Sequence, residues 1–142
     1  MAAGFEMTSE GEAPMASPRF LPLLRVAVVL QTVAILVQAI TAGLLLSSPG
    51  GRTLHAASAG ILLLAVLLHL VAAVLVWRPG GGSPRAIASA AAFLVATLVQ
   101  MALGMAHLKT LHVPLGVLMF GGSVVGLVRL WADRRSDVAV AA

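Results

Sequence analysis

Between Val26 and Trp131 the chain consists of four apolar runs, each long enough to cross a lipid bilayer. The runs cover Val26–Leu46, Leu54–Trp77, Ala86–Ala106 and Val113–Trp131. At 1.5 Å per residue, a helix of that length spans roughly 30 Å, the thickness of the hydrocarbon core. Turn signals separate the runs. The first is Ser47-Ser48-Pro49-Gly50-Gly51 and the second is Pro79-Gly80-Gly81-Gly82-Ser83-Pro84. The third is the short polar stretch His107 to His112, after which Pro114 suits the first turn of the last helix. The expected architecture is all-α: an integral membrane four-helix up-down bundle over residues 26–131. A disordered N-terminal tail, residues 1–25, precedes it and a short cytoplasmic tail, 132–142, follows.

Charge narrows what such a bundle can do. The chain is 60% hydrophobic and 10% charged. A soluble domain is about 45–50% apolar and about 25% charged, so an ordinary soluble enzyme is excluded. The acids are Glu6, Glu10, Glu12, Asp133 and Asp137, and no carboxylate lies between Ala13 and Ala132. Carboxylate-pair hydrolases, carboxylate-bridged metal sites and acid-driven antiporters each need one there. There is no cysteine, which removes disulfides, thiolate metal sites and iron–sulfur clusters. The net charge is only +4 and its basic residues are scattered, so no nucleic-acid partner is expected.

The basic residues orient the chain. Arg19, Arg25, Arg78, Arg85, Arg129, Arg134 and Arg135 fall on one side of the membrane, and Arg52 and Lys109 on the other. The positive-inside rule then places both termini in the cytoplasm. The first run exceeds the roughly 7–15 residues of a signal-peptide core and follows an acidic tail, so it is expected to remain a span. Arg outnumbers Lys, and Ala and Gly are abundant. That composition fits a GC-rich bacterium and a multi-pass protein of its plasma membrane.

A weak internal repeat is visible. The first half reads Gln38, Gly43, turn, His55, Gly60; the second reads Gln100, Gly104, turn, His112, Gly116. Duplication of a two-helix unit is the simplest explanation. His55 and His112 open the second and fourth spans, so they lie at equal depth near the outer surface, on diagonal helices of an up-down bundle. A haem iron takes two axial ligands on opposite faces of a flat ring, and two imidazoles so placed supply them. The faces below them carry His55, Ala59, Leu62, Val66, His69 and Ala73 on span two, flanked by Ser58 and Gly60. On span four the face reads His112, Gly116, Met119, Ser123 and Gly126. Glycine one turn from a ligand leaves room for a macrocycle. Gln38 and Gln100 are placed to hydrogen-bond an imidazole or a ligand edge. Histidine at a membrane interface is also often simply solvated, and for His55 and His112 both assignments stay open.

His69 follows His55 by fourteen residues, about 21 Å along the helix on nearly the same face. The matching position on span four lies near Gly126, which offers no ligand, so a second bis-histidine haem is not expected. His69 is expected to be buried and neutral, bonded to Gln31 or Thr32. His107 is either solvated or a substitute ligand for His112. The methionines and the Gly122-x-x-x-Gly126 pair are expected to pack helices, and Trp77 and Trp131 to anchor the inner span ends.

The segments Val37-Gln38-Ala39-Ile40-Thr41-Ala42-Gly43 … His55-Ala56-Ala57-Ser58-Ala59-Gly60 and Val99-Gln100-Met101-Ala102-Leu103-Gly104 … Leu111-His112-Val113-Pro114-Leu115-Gly116-Val117-Leu118-Met119-Phe120 resemble one four-helix half of haem A synthase. They also resemble small bacterial four-helix membrane proteins of unknown function. In that family each half places one His at the outer start of its second helix and one at the outer start of its fourth. His55 and His112 match those positions, so the resemblance implies a b-type haem near the outer face. Haem A synthase joins two such halves, and a homodimer of this chain would restore eight helices. The family's catalytic glutamate precedes the first His, whereas Gly50-Gly51-Arg52-Thr53-Leu54 holds no acid, and its usual following Arg is here Ala56. Oxidation of a haem methyl group is therefore not carried over, and no catalytic residue is expected.

Two functions remain open at this point. One is a small haem protein in electron transfer or haem handling, with a quinone or a membrane redox protein as partner. The other is a non-catalytic helical subunit or assembly factor that binds another membrane protein through Gly- and Ala-rich faces. A transporter fits poorly, because the spans hold no acid.

Overall fold

A computed structural model describes residues 19–140, with side chains placed through residue 132. The part of the expected disordered tail up to Pro18 lies outside the described residues. The chain forms α1 (Leu21–Ser47), α2 (Gly51–Trp77), α3 (Arg85–Met105) and α4 (Lys109–Val140). No strand occurs among the described residues. All four helices are long and apolar enough to cross a membrane. In hydrocarbon the backbone must satisfy its own hydrogen bonds, and a helix does so within one segment.

The helix ends differ from the apolar runs in instructive ways. α1 starts at Leu21, ahead of the run at Val26, with Pro22 in a first turn that needs no N–H. Arg25 does not end the helix. Its guanidinium lies 5.9 Å from the Trp131 ring centroid and donates to the Leu130 carbonyl at 3.4 Å. α2 starts at Gly51, not Leu54. α4 starts at Lys109, so residues read as loop form its first turn and Pro114 falls inside the helix. At its far end α4 runs on to Val140, through most of the segment expected to be a short tail.

The α3–α4 break shrinks to three residues because α3 ends in a tight C-terminal motif. Leu108 N–H reaches back to Leu103 O at 3.0 Å and His107 N–H to Gly104 O at 3.1 Å. That motif needs a left-handed residue, and here it is His107, with φ 57°. Glycine is the usual occupant because a Cβ costs roughly 1–2 kcal/mol there. His107→Gly is expected to stabilise the protein by up to about 1 kcal/mol, the gain being trimmed by the greater freedom of glycine in the unfolded chain. A rise in thermal midpoint checks this.

Among the described residues α1 packs on α2 and α4, and α3 packs on α2 and α4, while α1–α3 and α2–α4 make no close backbone approach. The helices therefore form a four-membered ring in which α2 and α4 are diagonal. The interior is layered. At one end Leu24, Ala27, Val28, Ala72, Ala73, Val76 and Ala90 form a tight apolar seam. Outside this layer Arg78 lies 4.9 Å from the Trp77 ring centroid and Arg19 5.6 Å from that of Phe20.

Next comes a buried polar layer. The sequence allowed His69 either Gln31 or Thr32 as partner. The structure gives it Gln31, with His69 Nδ1 2.8 Å from Gln31 Oε1. Thr32 Oγ1 instead meets Ser123 Oγ at 2.6 Å, and Gln31 Nε2 donates to the same hydroxyl at 3.4 Å. Three helices thus share one internally bonded cluster, as buried polar groups in lipid require. Beyond it lies a second apolar layer of Ala34, Ile35, Leu62, Ala65, Val66 and Met119. The expected faces hold: Leu62, Val66, His69 and Ala73 on α2 and Met119 and Ser123 on α4 are all buried. The fourth layer is the site.

Candidate functional site

The C-terminal parts of α1 and α3 and the N-terminal parts of α2 and α4 surround a cavity of about 700 Å³. Ligand sites run roughly 300–1,000 Å³. Its wall includes His55 and His112, Gln38 and Gln100, apolar Leu62 and Met101, and the cations Arg52 and Lys109.

The two histidines come together across the ring of helices. Their ring centroids are 6.3 Å apart, with the planes 70° from parallel. Each Nδ1 is engaged on the helix side. His112 Nδ1 lies 3.0 Å from the carbonyl oxygen of Gln100. A carbonyl only accepts, so Nδ1 carries the proton and Nε2 keeps its lone pair. His55 Nδ1 lies 3.1 Å from Thr41 Oγ1. Thr41 Oγ1 also lies 2.9 Å from the Val37 carbonyl; with its proton directed there, its oxygen accepts from His55 Nδ1–H. His112 is therefore held in the tautomer that leaves the Nε2 lone pair free, and the Val37–Thr41 arrangement gives His55 the same one.

The repeat seen in the sequence has a structural meaning. Gln38 Nε2 donates to the His55 carbonyl at 3.1 Å, and Gln100 Nε2 donates to the His112 carbonyl at 2.9 Å. The Gln side chains thus clamp the histidine backbone in both halves rather than bonding an imidazole. In the first half Ser58 joins in, 2.8 Å from Gln38 Nε2 and 2.9 Å from Thr41 Oγ1. In the second half Gln100 Oε1 is buried with no hydrogen-bond partner among the described residues.

The glycines divide. A Cβ on Gly116 would meet Gln100 Nε2 at 2.9 Å, so this glycine makes room for the amide clamp rather than for a macrocycle. Gly60 is exposed with nothing within 4 Å of a Cβ, and it does not line the cavity. The glycine that admits an imidazole is Gly104, where a Cβ would stand 3.3 Å from His112 Cε1. His107 also lines the cavity. His69 does not; it belongs to the buried layer below.

Sequence reasoning missed Thr41, Gly104, Arg52 and Lys109 as parts of the site. One signal was available for the cations. Arg52-Thr53-Leu54-His55 and Lys109-Thr110-Leu111-His112 are the same four-residue pattern, a cation one turn before each histidine.

The donor set suits a metal held by two imidazoles. Two metal–imidazole bonds of about 2.0–2.1 Å, with each ring centre about 1 Å further back, put the centroids about 6 Å apart. Among the described residues no group of three or more His, Cys, Asp or Glu side chains assembles. Structural zinc sites use four protein ligands. A macrocycle that brings its own four equatorial donors would need only two protein ligands, and two imidazoles share this cavity. No family model matches the chain, and neither a curated protein nor a solved structure matches it.

Proposed function

We propose that this chain is a multi-pass protein of a bacterial plasma membrane that binds one b-type haem between His55 and His112. The four helices run up and down, both termini lie in the cytoplasm, and the cavity opens near the outer face. The observation that carries the reading is the histidine pair: centroids 6.3 Å apart, both Nδ1 atoms engaged, one shared cavity. The resemblance to a half of haem A synthase points the same way.

When bound, haem supplies one-electron redox chemistry, and the bundle tunes its potential through ligand basicity and burial. The chain's own residues fix the ligands. Thr41 and the Gln100 carbonyl hold the imidazole orientations, and the two Gln amides lock the backbone turns that carry them. No carboxylate lines the cavity among the described residues. The role that the histidine pair supports is electron transfer or haem handling, with a quinone or a membrane redox protein as partner.

A cofactor-free interaction subunit is the competing reading. It is favoured by α3, in which only Ala90 and Thr97 are buried. Titration of the detergent-purified protein with haemin separates the two. The haem reading predicts saturation at one equivalent per chain with a low-spin spectrum; the competitor predicts no saturable binding. Within the haem reading, Thr41→Val removes the acceptor for His55 Nδ1–H at nearly constant volume. Haemin affinity is expected to fall roughly 10–100-fold, as for other residues that orient a ligand, in the same titration.

A further inference from the structure

We infer that Arg52 and Lys109 form a paired carboxylate-binding rim on the cavity, one cation for each propionate of the macrocycle. This inference rests on the haem reading and adds which edge of the ring faces outward.

Both cations line the same cavity as the two histidines. Each stands three residues before its histidine on the same helix, so each lies on the histidine's face, about one turn closer to the end of the bundle. The placement has no explanation in helix stability. Arg52 and Lys109 occupy the first turns of α2 and α4, and neither first turn contains an acid. A helix N-terminus carries about half a positive charge and favours anions, so a cation there works against the helix. Membrane topology does not explain it either, because the other basic residues gather at the opposite end by the positive-inside pattern. Nor does pairing within the bundle, since residues 13–132 hold no carboxylate at all.

The N-terminal ends of α2 and α4 are offset by the C-terminal ends of α1 and α3 at the same level, so it is the two cations that place positive charge on one rim of a cavity whose deeper wall is apolar, with Leu62 and Met101. The complementary ligand is amphipathic, with two carboxylates on one edge and an apolar remainder. A b-type haem has that shape: its two propionates leave one edge of the ring. The duplicated cation-Thr-Leu-His pattern supplies one cation per half, matching two carboxylates with two partners.

The test compares haemin with its dimethyl ester, in which both propionates are masked. Both are titrated into the full-length protein in detergent and read by the Soret band. Wild type is expected to bind haemin about tenfold more tightly than the ester, from two partly exposed ion pairs. The Arg52→Gln/Lys109→Gln double variant is expected to bring that ratio to about one by losing haemin affinity while keeping ester affinity. A low-spin ester complex of the double variant shows that fold and axial ligands are intact. If the double variant binds neither porphyrin, the single variants decide, each being expected to lower the ratio about threefold by losing one pair. A ratio unchanged from wild type in the variants overturns the rim. Failure of wild type to bind either porphyrin overturns the haem reading itself, and the rim with it.

Discussion

Replacing either His55 or His112 with Ala is expected to abolish the low-spin haem spectrum. Haemin affinity should fall by about 100-fold or more, exceeding the roughly 10–100-fold typical of residues that merely orient a ligand. On the proposed reading each imidazole would supply one of the two protein ligands to the iron, and the two rings lie 6.3 Å apart in one cavity. His107 lines the cavity, so His112→Ala also asks whether it substitutes; the expected answer is no, because its backbone is locked in the left-handed turn after α3. His69→Ala should leave the spectrum intact, because His69 is bonded to Gln31 in a separate layer. The check is a haemin titration of the three variants side by side. Loss of haem in His69→Ala alone would place the site in the wrong layer.

The second large effect concerns the fold. Gly51→Ala is expected to destabilise the bundle by roughly 3 kcal/mol, in the range of severe backbone clashes. Gly51 opens α2 directly against the last turn of α1. A Cβ there would run into the Leu44 carbonyl oxygen, and backbone on both sides leaves little room to yield. The α1–α2 pairing positions Thr41 and Gln38 against His55, so haem affinity should fall together with stability. Gly43→Ala is the matched control. It lies exposed in the same region of α1 with nothing within 4 Å of a Cβ, and helix propensity favours Ala by about 1 kcal/mol. Thermal unfolding in detergent, followed by circular dichroism, should show Gly51→Ala melting well below wild type and Gly43→Ala at or above it.

Much of the architecture was legible because hydropathy and helical period act together. Four apolar runs gave four helices. The small-residue face of span four and the Leu62–Val66–His69–Ala73 face of span two turned inward, as heptad spacing implied. Helix ends were less legible. A basic side chain near an interface keeps its stem in the helix while its head finds a polar surface, so Arg25 and Lys109 lie inside helices although they end the apolar runs.

In the site, the sequence order of Gln before His was visible in both halves, but order does not say which atoms meet. The amides turned to the histidine carbonyls, leaving the imidazole nitrogens to Thr41 and the Gln100 backbone. A glycine pattern is ambiguous in the same way. Gly116 clears an amide, Gly104 clears an imidazole, and Gly60 clears nothing, yet all three look alike as letters. The two cations are equally ambiguous as letters: Arg52 and Lys109 serve a topology count as well as they mark a residue one turn from a histidine.

The most direct test of the central claim is the visible spectrum of the detergent-purified protein, oxidised and dithionite-reduced, with haem supplied during expression. The account predicts a narrow Soret band and sharp reduced α and β bands, those of a six-coordinate low-spin haem with two nitrogen ligands. A well-folded helical protein with a flat visible spectrum would contradict it.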